Sequence, residues 1–228
     1  MRVLTLHELL RCYARGEFPM ANDRHDPTIY LINPERRGVI PLDRFHVPQS
    51  LRKLVRRRPF EIRIDTAFRA VIGACAEPTD ERPRTWLNDG LIELYTALFH
   101  HGHAHSVECW RDGVLVGGLY GVSLGAAFFG ESMFSRERDA SKVALVELVG
   151  RLRAGGYELL DTQFVTDHLR RFGAIEIARA GYSARLRQAL ARSARFPRDA
   201  QPFGVWVVDG ISGSSPSSGA VQPTSQRS

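Results

Sequence analysis

Lysine is almost missing from this 228-residue sequence, although lysine and arginine together number 31. Lys53 and Lys142 are the only two lysines, so the formal net charge of +6 rests almost wholly on arginine. The planar guanidinium group of arginine suits phosphate, which favours a nucleic-acid partner. A GC-rich genome that favours arginine codons explains the same composition equally well. Charge alone therefore leaves both interpretations open.

Cysteine is also scarce, and its spacing excludes two kinds of small scaffold. Cys12, Cys75 and Cys109 are odd in number, far apart and outside any CxxC arrangement. The sequence therefore predicts neither a disulfide framework nor a zinc knuckle, and a reducing cytosol fits this pattern. With 43% hydrophobic residues, the chain is long enough for one full core and a small accessory domain.

Long apolar runs are missing too. No stretch approaches the ~18 apolar residues that a membrane-spanning helix needs. The first twenty residues contain Glu8 and Glu17 and lack the apolar segment and cleavage site of a signal peptide. The sequence therefore predicts a soluble, cytoplasmic protein.

Composition and periodicity divide the chain into three parts. We predict a small N-terminal domain over residues 1–35, a larger domain over 36–208 and a disordered tail over 209–228, which is rich in Gly, Ser, Pro, Thr and Gln. Helical periodicity occurs in segments 5–16, 50–58, 66–76, 88–101, 141–154, 166–172 and 182–194. Strand-like segments are 60–64, 104–110, 114–122, 126–129, 157–164 and 203–208.

The stretch from His105 to Ser135 combines strand-like sequence with glycines and two carboxylates. Asp112-Gly113 between two apolar runs favours a tight hairpin. Three glycines between residues 117 and 121 would weaken a strand unless a ligand or another backbone comes close. Glu108 lies among apolar neighbours, and Glu131 follows an apolar run. The composition predicts a cleft lined by glycine, aromatic and acidic residues.

Asp161 and Gln163 stand two residues apart in a strand-like segment, so alternation points both side chains to one face. Polar groups beside Leu160 and Phe164 are costly if they are merely buried. The pair is either a hydrogen-bonded part of the core or part of a reactive site, and its spacing does not decide between the two.

A cluster of cations follows Ser50 on a short predicted helix. Its members are Arg52, Lys53, Arg56, Arg57 and Arg58. With no acidic residue among them, these side chains repel one another unless an anion lies nearby. The cluster is either a surface for a phosphate backbone or a solvated face.

Two further motifs carry less chemistry than they first suggest. Four histidines between residues 100 and 105 straddle a helix end and a strand start, with no acidic or cysteine partner at ligand spacing, so we expect no metal. Ser132 lies in Gly130-Glu131-Ser132-Met133-Phe134, which lacks the second glycine of a nucleophile elbow. A serine hydrolase is therefore not expected.

The order of motifs from about Tyr13 to Val207 resembles the leucyl/phenylalanyl-tRNA protein transferases. The blocks that carry the resemblance are Gly16-Glu17-Phe18-Pro19-Met20, Arg37-Gly38-Val39-Ile40-Pro41-Leu42, Phe45-His46-Val47-Pro48-Gln49-Ser50-Leu51, Thr85-Trp86-Leu87, Gly102-His103-Ala104-His105-Ser106-Val107-Glu108, Leu115-Val116-Gly117-Gly118-Leu119-Tyr120-Gly121, Phe129-Gly130-Glu131-Ser132-Met133-Phe134-Ser135, Ala140-Ser141-Lys142, Asp161-Thr162-Gln163, His168-Leu169 and Gly173-Ala174. So many blocks in one order make chance agreement implausible.

The resemblance implies an α+β protein with a small N-terminal domain and a GNAT-like (acyl-CoA N-acyltransferase-like) catalytic domain built on a mixed sheet. It implies transfer of leucine or phenylalanine from leucyl-tRNA or phenylalanyl-tRNA to proteins that begin with Arg or Lys, and methionine is a further candidate donor. The product would be a degradation signal passed to the bacterial N-degron adaptor and its protease. We expect no cofactor, no membrane partner and a monomer.

The resemblance also implies roles for single residues. Asp161 and Gln163 match the catalytic pair: the carboxamide oxygen of Gln163 accepts a hydrogen bond from the attacking α-amine, and Asp161 polarises or positions the glutamine. Glu131, together with Glu108, supplies negative charge for an ammonium group or a basic side chain. Trp86 would stack on the terminal adenine. The pocket for the transferred side chain would use Leu119, Phe128, Ser141 and Leu145.

Three positions depart from the pattern of known members. Met20 stands where they place a tryptophan that contacts the adenine, which weakens the case for a stacking partner there. Thr162 replaces a cysteine between the catalytic pair, and its side chain is expected to face away from them. Leu119 stands where some members carry methionine, which would tune the donor preference.

Two rival interpretations explain less of the sequence. A CoA-dependent N-acetyltransferase would share the implied fold, but the segment 170–175 fails at the last position of the pyrophosphate-binding loop. An RNA-binding module built on the arginine cluster and Trp86 would leave Asp161, Gln163 and Glu131 unexplained.

Overall fold

The computed structural model describes residues 4–79 and 84–210. The helices of this part are α1 (Leu6–Ala14), α2 (Gln49–Arg56), α3 (Phe68–Ala76), α4 (Asp89–His100), α5 (Ala140–Ala154), α6 (Asp167–Arg170), α7 (Arg179–Leu190) and α8 (Phe203–Asp209). The strands are β1 (Phe18–Met20), β2 (Tyr30–Ile32), β3 (Arg36–Ile40), β4 (Glu61–Ile64), β5 (Ala104–Arg111), β6 (Val114–Leu124), β7 (Ala127–Ser135), β8 (Leu159–Gln163) and β9 (Ile175–Ala178). Of the predicted tail, Asp209 ends α8, and residues 211–228 lie outside the described residues. None of the helices above has the length and apolar content that crossing a bilayer requires.

Seven strands form one mixed sheet in the order β4-β5-β6-β7-β8-β3-β9. Neighbouring strands run antiparallel except β7 and β8, which are parallel and are joined through α5. A parallel pair needs such a crossover, whereas the hairpins β5-β6 and β6-β7 need only tight turns. β1 and β2 form a separate antiparallel pair. The prediction of an α+β fold with a large mixed sheet is confirmed at this level.

The parallel pair β7 and β8 is short, and its two strands separate early. The paired residues are Ala127–Phe129 in β7 and Leu159–Asp161 in β8. Beyond Phe129, β7 continues along β6 to Ser135, while β8 stays paired with β3 up to Gln163. The separation leaves a cavity at the ends of the two strands.

Helices cover both faces of the sheet. One apolar cluster contains Phe129 and buried residues of α1, α3, α4 and α7. The other contains the adjacent Phe128 and buried residues of α2, α5 and α8. Neighbouring residues of a strand point to opposite faces, so each cluster fills one side of the sheet. Residues of the first 35 positions, such as Leu9 and Tyr13, share the first cluster with the larger part of the chain.

The predicted strand at 203–208 is wrong, because this segment forms α8. Its apolar run fits a buried strand or a buried helix, and periodicity cannot separate the two over six residues. Packing against α5 favours the helix: Glu147 accepts a hydrogen bond from the Gly204 N–H at 2.7 Å. The Arg151 guanidinium lies 4.7 Å from the centre of the Phe203 ring. Tertiary contacts therefore decide the structure of this segment.

The third strand of the predicted meander is longer than expected. The sequence predicts an end at Phe129, because Gly130 and Glu131 interrupt the apolar run, whereas β7 extends to Ser135. The strand continues because it stays paired with β6. The register of this pairing shifts between Tyr120 and Gly121, opposite the segment that contains Gly130 and Glu131. The interruption marks the cavity wall and not the end of the strand.

Candidate active site

A cavity of about 380 Å³ lies where β7 and β8 separate. Six of the predicted site residues border it: Met20, Trp86, Leu119, Glu131, Leu145 and Gln163. Its lining includes Tyr120 from one apolar cluster and Leu160 from the other, so the cavity reaches both faces of the sheet. Most of the lining is apolar, and Glu131 and Gln163 bring polar groups into it.

A larger cavity of about 820 Å³ lies between α1, the segment around Ile29 and the start of α4. None of the predicted site residues borders it. Two of its charged lining residues, Arg24 and Asp89, form an ion pair at the surface. The smaller cavity is the better candidate for chemistry, because it contains buried polar side chains aimed at an apolar space.

Gln163 ends β8 in a tight turn. Its φ is +57°, in the left-handed region that costs a residue other than glycine about 1–2 kcal/mol. The Phe164 N–H donates to the Thr162 carbonyl oxygen at 2.6 Å, which closes a γ-turn around Gln163. The turn places the Gln163 side chain at the cavity. Thr162, which the sequence predicts to face away from Asp161 and Gln163, also borders this cavity.

Asp161 is fully buried and accepts hydrogen bonds from three residues. The Arg37 guanidinium holds both carboxylate oxygens, with Nε 2.9 Å from Oδ1 and Nη2 2.7 Å from Oδ2. The Tyr182 hydroxyl donates to Oδ2 at 2.5 Å, and the Gln163 backbone N–H donates to Oδ1 at 2.8 Å. Burial opposes the charge of Arg37, but the Asp161 carboxylate outweighs it and raises the pKa of Arg37.

Glu131 lies between two tyrosine hydroxyls. The Tyr13 hydroxyl is 2.7 Å from Oε1, the Tyr95 hydroxyl is 2.9 Å from Oε2, and the two hydroxyls are 2.7 Å apart. Each hydroxyl has one proton, so two protons cannot serve these three contacts. A third proton on Glu131 completes the set, and burial accordingly raises the pKa of Glu131 to about 7, although both tyrosine hydrogen bonds lower it.

The Glu131 carboxyl group also orients Gln163. The Gln163 amide nitrogen Nε2 donates to Glu131 Oε1 over a long distance of 3.4 Å. When Glu131 is ionised it can only accept hydrogen bonds, so it attracts the NH₂ end of the carboxamide. The carboxamide oxygen is then the end left for another partner.

Comparison with known proteins places the chain in a family. The sequence model of the leucyl/phenylalanyl-tRNA protein transferase family matches residues 39–187, which include Glu131, Asp161 and Gln163. A protein of Paramagnetospirillum magneticum with that name is 61% identical over 200 residues, covering 88% of this chain and 96% of the relative. The chain belongs to the leucyl/phenylalanyl-tRNA protein transferase family. Proteins of the same name from Maricaulis maris and Caulobacter vibrioides are each 59% identical, covering 86% and 84% of this chain and 91% and 88% of the relatives.

Among solved structures, the C-terminal domain of a putative lysylphosphatidylglycerol synthetase from Agrobacterium fabrum is similar over 78% of this chain and 61% of that chain. The TM-score is 0.38 and the sequence identity is 12%. A likeness of this size carries no weight for the fold. As a leucyl/phenylalanyl-tRNA protein transferase, the chain is an aminoacyltransferase on the strength of its sequence relatives.

Glu108, predicted to lie in the cleft of the transferase, is held elsewhere. Its side chain is fully buried and accepts hydrogen bonds from the N–H groups of Thr66 and Ala67 at 2.9 and 2.8 Å, and from the Thr66 hydroxyl. Ser106 and Trp110 donate to it as well, at 2.8 and 3.1 Å. The carboxylate satisfies backbone N–H groups at the start of α3, which has no side-chain cap of its own. The structure does not bring Glu108 to the cavity.

Two further residues predicted for the aminoacyl pocket of the transferase do not border the cavity. Phe128 is fully buried and packs against Phe196, with ring centroids 5.6 Å apart. Ser141 lies at the start of α5, where its N–H donates to Ser135 Oγ at 3.2 Å. Leu145, one turn further along α5, takes the position at the cavity wall.

Trp86 and Met20 border the same cavity from the N-terminal side of the transferase. The two residues are adjacent through Ala21, whose N–H donates to the Trp86 carbonyl oxygen at 3.0 Å. The Trp86 ring meets the Tyr95 ring edge-on, with centroids 6.5 Å apart. A flat aromatic group and a flexible thioether are thus available to a ligand at this end.

The predicted cation cluster lies on and just after α2, on the far side of the transferase sheet from α7. Its acidic partner comes from another element: Arg56 Nε is 2.7 Å from Asp209 Oδ1. Arg52 and Arg56 also donate to the Val208 carbonyl oxygen, at 3.5 and 3.2 Å. Arg52, Lys53 and Arg56 border an open cavity of about 420 Å³. Part of the positive charge therefore holds α8, and part faces solvent.

The sequence did not single out several polar groups around the transferase cavity. Tyr13 and Tyr95 are buried residues of α1 and α4, and a buried tyrosine hydroxyl normally needs a hydrogen-bond partner. Arg37 and Tyr182 carry no comparable local signal. His168 borders the cavity, and its Nε2 is buried with no hydrogen-bond partner among the described residues. Burial, assisted by Lys142 and Arg171, lowers the pKa of His168.

Proposed function

We propose that this transferase moves leucine or phenylalanine, with methionine as a further donor, from charged tRNA to the N-terminal Arg or Lys of acceptor proteins. The observation that carries this proposal is the cavity where β7 and β8 separate. It combines an apolar lining with the side chains of Gln163 and Glu131. An aminoacyl ester presents the same combination, an apolar side chain beside a reactive carbonyl group.

The donor fits the apolar part of the cavity. Leu119 and Leu145 would contact the transferred side chain, and the aromatic face of Trp86 would stack on the terminal adenine beside Met20. The cations on α2 would contact the tRNA backbone, because arginine and lysine bind phosphate without regard to sequence. Phe128, Ser141 and Glu108 would act at most indirectly on the donor, since none of them borders the cavity.

The reaction forms one bond and breaks one. The neutral α-amine of the acceptor attacks the ester carbonyl carbon, a C–N bond forms, and the C–O bond to the tRNA ribose breaks. The amine loses a proton and the ribose hydroxyl gains one. The Gln163 carboxamide oxygen accepts a hydrogen bond from the amine and orients its lone pair, and Asp161 positions Gln163. Positioning of two reactants supplies much of the rate in such a reaction.

The acceptor fits the polar part of the cavity. An ionised Glu131 would attract an ammonium group or the basic side chain of the acceptor, which favours Arg or Lys at the N-terminus. The product, a protein that begins with Leu or Phe, would pass to the N-degron adaptor and its protease. We further propose a cytoplasmic monomer without a cofactor, in which residues 1–35 form an N-terminal domain and 36–208 a GNAT-like catalytic domain.

A transfer assay tests this proposal. The protein is incubated with radiolabelled leucyl-tRNA and matched peptides that begin with Arg, Lys or Ala. We expect label on the Arg and Lys peptides and little on the Ala peptide. Replacement of Gln163 by Ala should lower kcat by about 100-fold, because the attacking amine is no longer positioned, with tRNA binding unchanged.

Each arm of this assay has an outcome that contradicts the proposal. Folded protein that labels neither the Arg nor the Lys peptide would contradict the acceptor assignment. Full activity of Gln163→Ala would remove Gln163 from the reaction. Transfer of an acetyl group from acetyl-CoA to the same peptides would favour the rival acetyltransferase.

A further inference from the structure

Asp161 is enclosed on every side by its own partners. It has no exposed surface, and it does not border the cavity. Its two oxygens accept from two nitrogens of Arg37, from the Tyr182 hydroxyl and from the Gln163 backbone N–H. A carboxylate in this state has no position left for a substrate, so it acts on the reaction through its neighbours.

The neighbour that reaches the cavity is Gln163, and Asp161 holds its backbone and not its carboxamide. The 2.8 Å bond runs from the Gln163 N–H to Asp161 Oδ1, while the carboxamide nitrogen points to Glu131. This bond fixes the residue at φ +57°, in the γ-turn closed by Phe164 and Thr162. Such a conformation persists only where surrounding contacts enforce it. Without the bond, the relaxed backbone would turn the side chain away from its present position.

Gly38 on β3 leaves the space that the turn needs. It is paired with Gln163 across the sheet. A Cβ at Gly38 would lie 2.7 Å from the Phe164 backbone carbon and 2.8 Å from its oxygen, closer than atoms pack in proteins. Two features of the sheet therefore accommodate the turn: the Asp161 carboxylate bonds to its backbone, and Gly38 has no side chain that would collide with it.

Arg37 and Tyr182 set the orientation of the Asp161 carboxylate. The guanidinium group binds both oxygens in its plane, which a single point charge would not do. It is fixed between two rings, 4.5 Å from the centre of Phe18 and 4.7 Å from that of Tyr182. Its remaining nitrogen Nη1 donates to the Gly16 carbonyl oxygen at 2.8 Å. With the carboxylate plane fixed in this way, Oδ1 stays directed at the Gln163 N–H.

We infer that Arg37 and Tyr182 are positioning residues for aminoacyl transfer: through Asp161 they hold the backbone turn that presents the Gln163 carboxamide to the cavity. This inference rests on the proposed role of Gln163 in contacting the acceptor amine. Asp161 is then a positioning residue as well. Arg37, Tyr182 and Asp161 should affect the reaction only through Gln163.

The test is a double-mutant cycle in the leucine transfer assay with the full chain. Tyr182→Phe removes one hydroxyl and keeps the ring against Arg37, so it disturbs packing less than a change of Arg37 would. Loss of a hydrogen bond to a charged group should lower kcat by about tenfold, with the KM for leucyl-tRNA unchanged. In the Gln163→Ala background, Tyr182→Phe should alter kcat by less than about twofold, because the carboxamide that Tyr182 helps to position is already absent.

The matched control is Tyr157→Phe, which removes a hydroxyl bonded to Ser123 at 2.7 Å at a residue that does not border the cavity. It should leave kcat unchanged in both backgrounds. Arg37→Lys, which keeps the charge and loses the planar fork, should behave as Tyr182→Phe does.

Two results would overturn the inference. If Tyr182→Phe lowers kcat equally in both backgrounds, the Arg37, Tyr182 and Asp161 cluster is only a structural support. If Tyr182→Phe leaves kcat of the otherwise wild-type chain unchanged, the cluster does not position Gln163. Failure of the proposed function gives different results: the wild-type chain would show no transfer, or Gln163→Ala would keep full activity.

Discussion

Glu131 is a carboxyl group that accepts hydrogen bonds from two tyrosine hydroxyls in the folded chain. Burial raises its pKa to about 7, whereas an unfolded chain leaves a glutamate near pKa ~4.3. The folded state therefore binds the Glu131 proton more tightly than the unfolded state does. The resulting stabilisation is complete below pH ~4.3 and is lost as the pH rises through about 7.

Glu131→Gln should remove this pH dependence, because the carboxamide does not titrate. Between pH 5 and pH 8 we expect the wild-type chain to lose on the order of 2 kcal/mol more unfolding free energy than the variant does. Urea denaturation at the two pH values measures the difference. Glu93→Gln, which changes an exposed carboxylate paired with Arg69, is the control and should follow the wild type. A variant with the wild-type pH dependence would show that Glu131 is not the titrating group.

Single residues could be predicted from the sequence only where their chemistry is visible without the fold. Glu131 and Gln163 stand out as polar groups in apolar strands, and the structure places both at one cavity. Glu108 has the same signature, yet donors from two segments satisfy it in the core. A strand pattern shows that a buried carboxylate needs partners, but not whether they come from the protein or from a ligand. Arg37 has no pattern at all, because its partner Asp161 lies 124 positions away.

Helix α8 depends on close backbone contact with α5. A Cβ at Gly150 of α5 would lie 2.4 Å from the Phe203 carbonyl oxygen of α8. Gly150→Ala should therefore lower the free energy of unfolding by about 1–3 kcal/mol, since the two helices must move apart. Gly181→Ala in α7 is the control, because nothing lies within 4 Å of its Cβ.

The control should leave stability unchanged or raise it by up to about 1 kcal/mol, the helix propensity gained on replacing glycine. Urea denaturation compares both variants with the wild type. Equal effects of the two substitutions would mean that the α5 and α8 contact is looser than described.

Elements with a strong local pattern could be predicted, and elements defined by contact could not. The meander β5-β6-β7 follows from alternation and an Asp-Gly turn, and its first two strands lie close to the predicted bounds. The segment 203–208 has an apolar run without a period, and Arg52 and Arg56 of α2 both donate to the carbonyl oxygen of its last residue, Val208. Those arginines are distant in sequence, so local propensity carries no information about them.

Over the whole molecule, the cations on and after α2 divide between two situations, pairing within the fold and exposure to solvent. Lys53 on α2 is exposed at an open cavity, whereas Arg56 beside it is bonded to Asp209. Lys53→Ala should therefore weaken tRNA binding and reduce the slope of log K against log salt by about 0.7–0.9, with unchanged stability. Filter binding of charged tRNA at several salt concentrations measures the slope.

Arg185→Ala on α7, on the opposite face of the sheet, is the control for Lys53→Ala and should leave the slope unchanged. A flat salt dependence of the wild-type chain would contradict a phosphate surface altogether. Arg56→Ala should lower stability as well as binding, because it also releases the end of α8.

The early separation of β7 and β8 has a consequence for how this enzyme can evolve. Leu119 lies on β6 and Leu145 on α5, whereas Gln163 ends β8, where its backbone N–H is bonded to Asp161. A mutation that resizes the proposed donor pocket would therefore leave the Gln163 carboxamide, the proposed reacting group, where it is. Under this assignment we expect a change of donor preference and a loss of the reaction to arise from separate mutations.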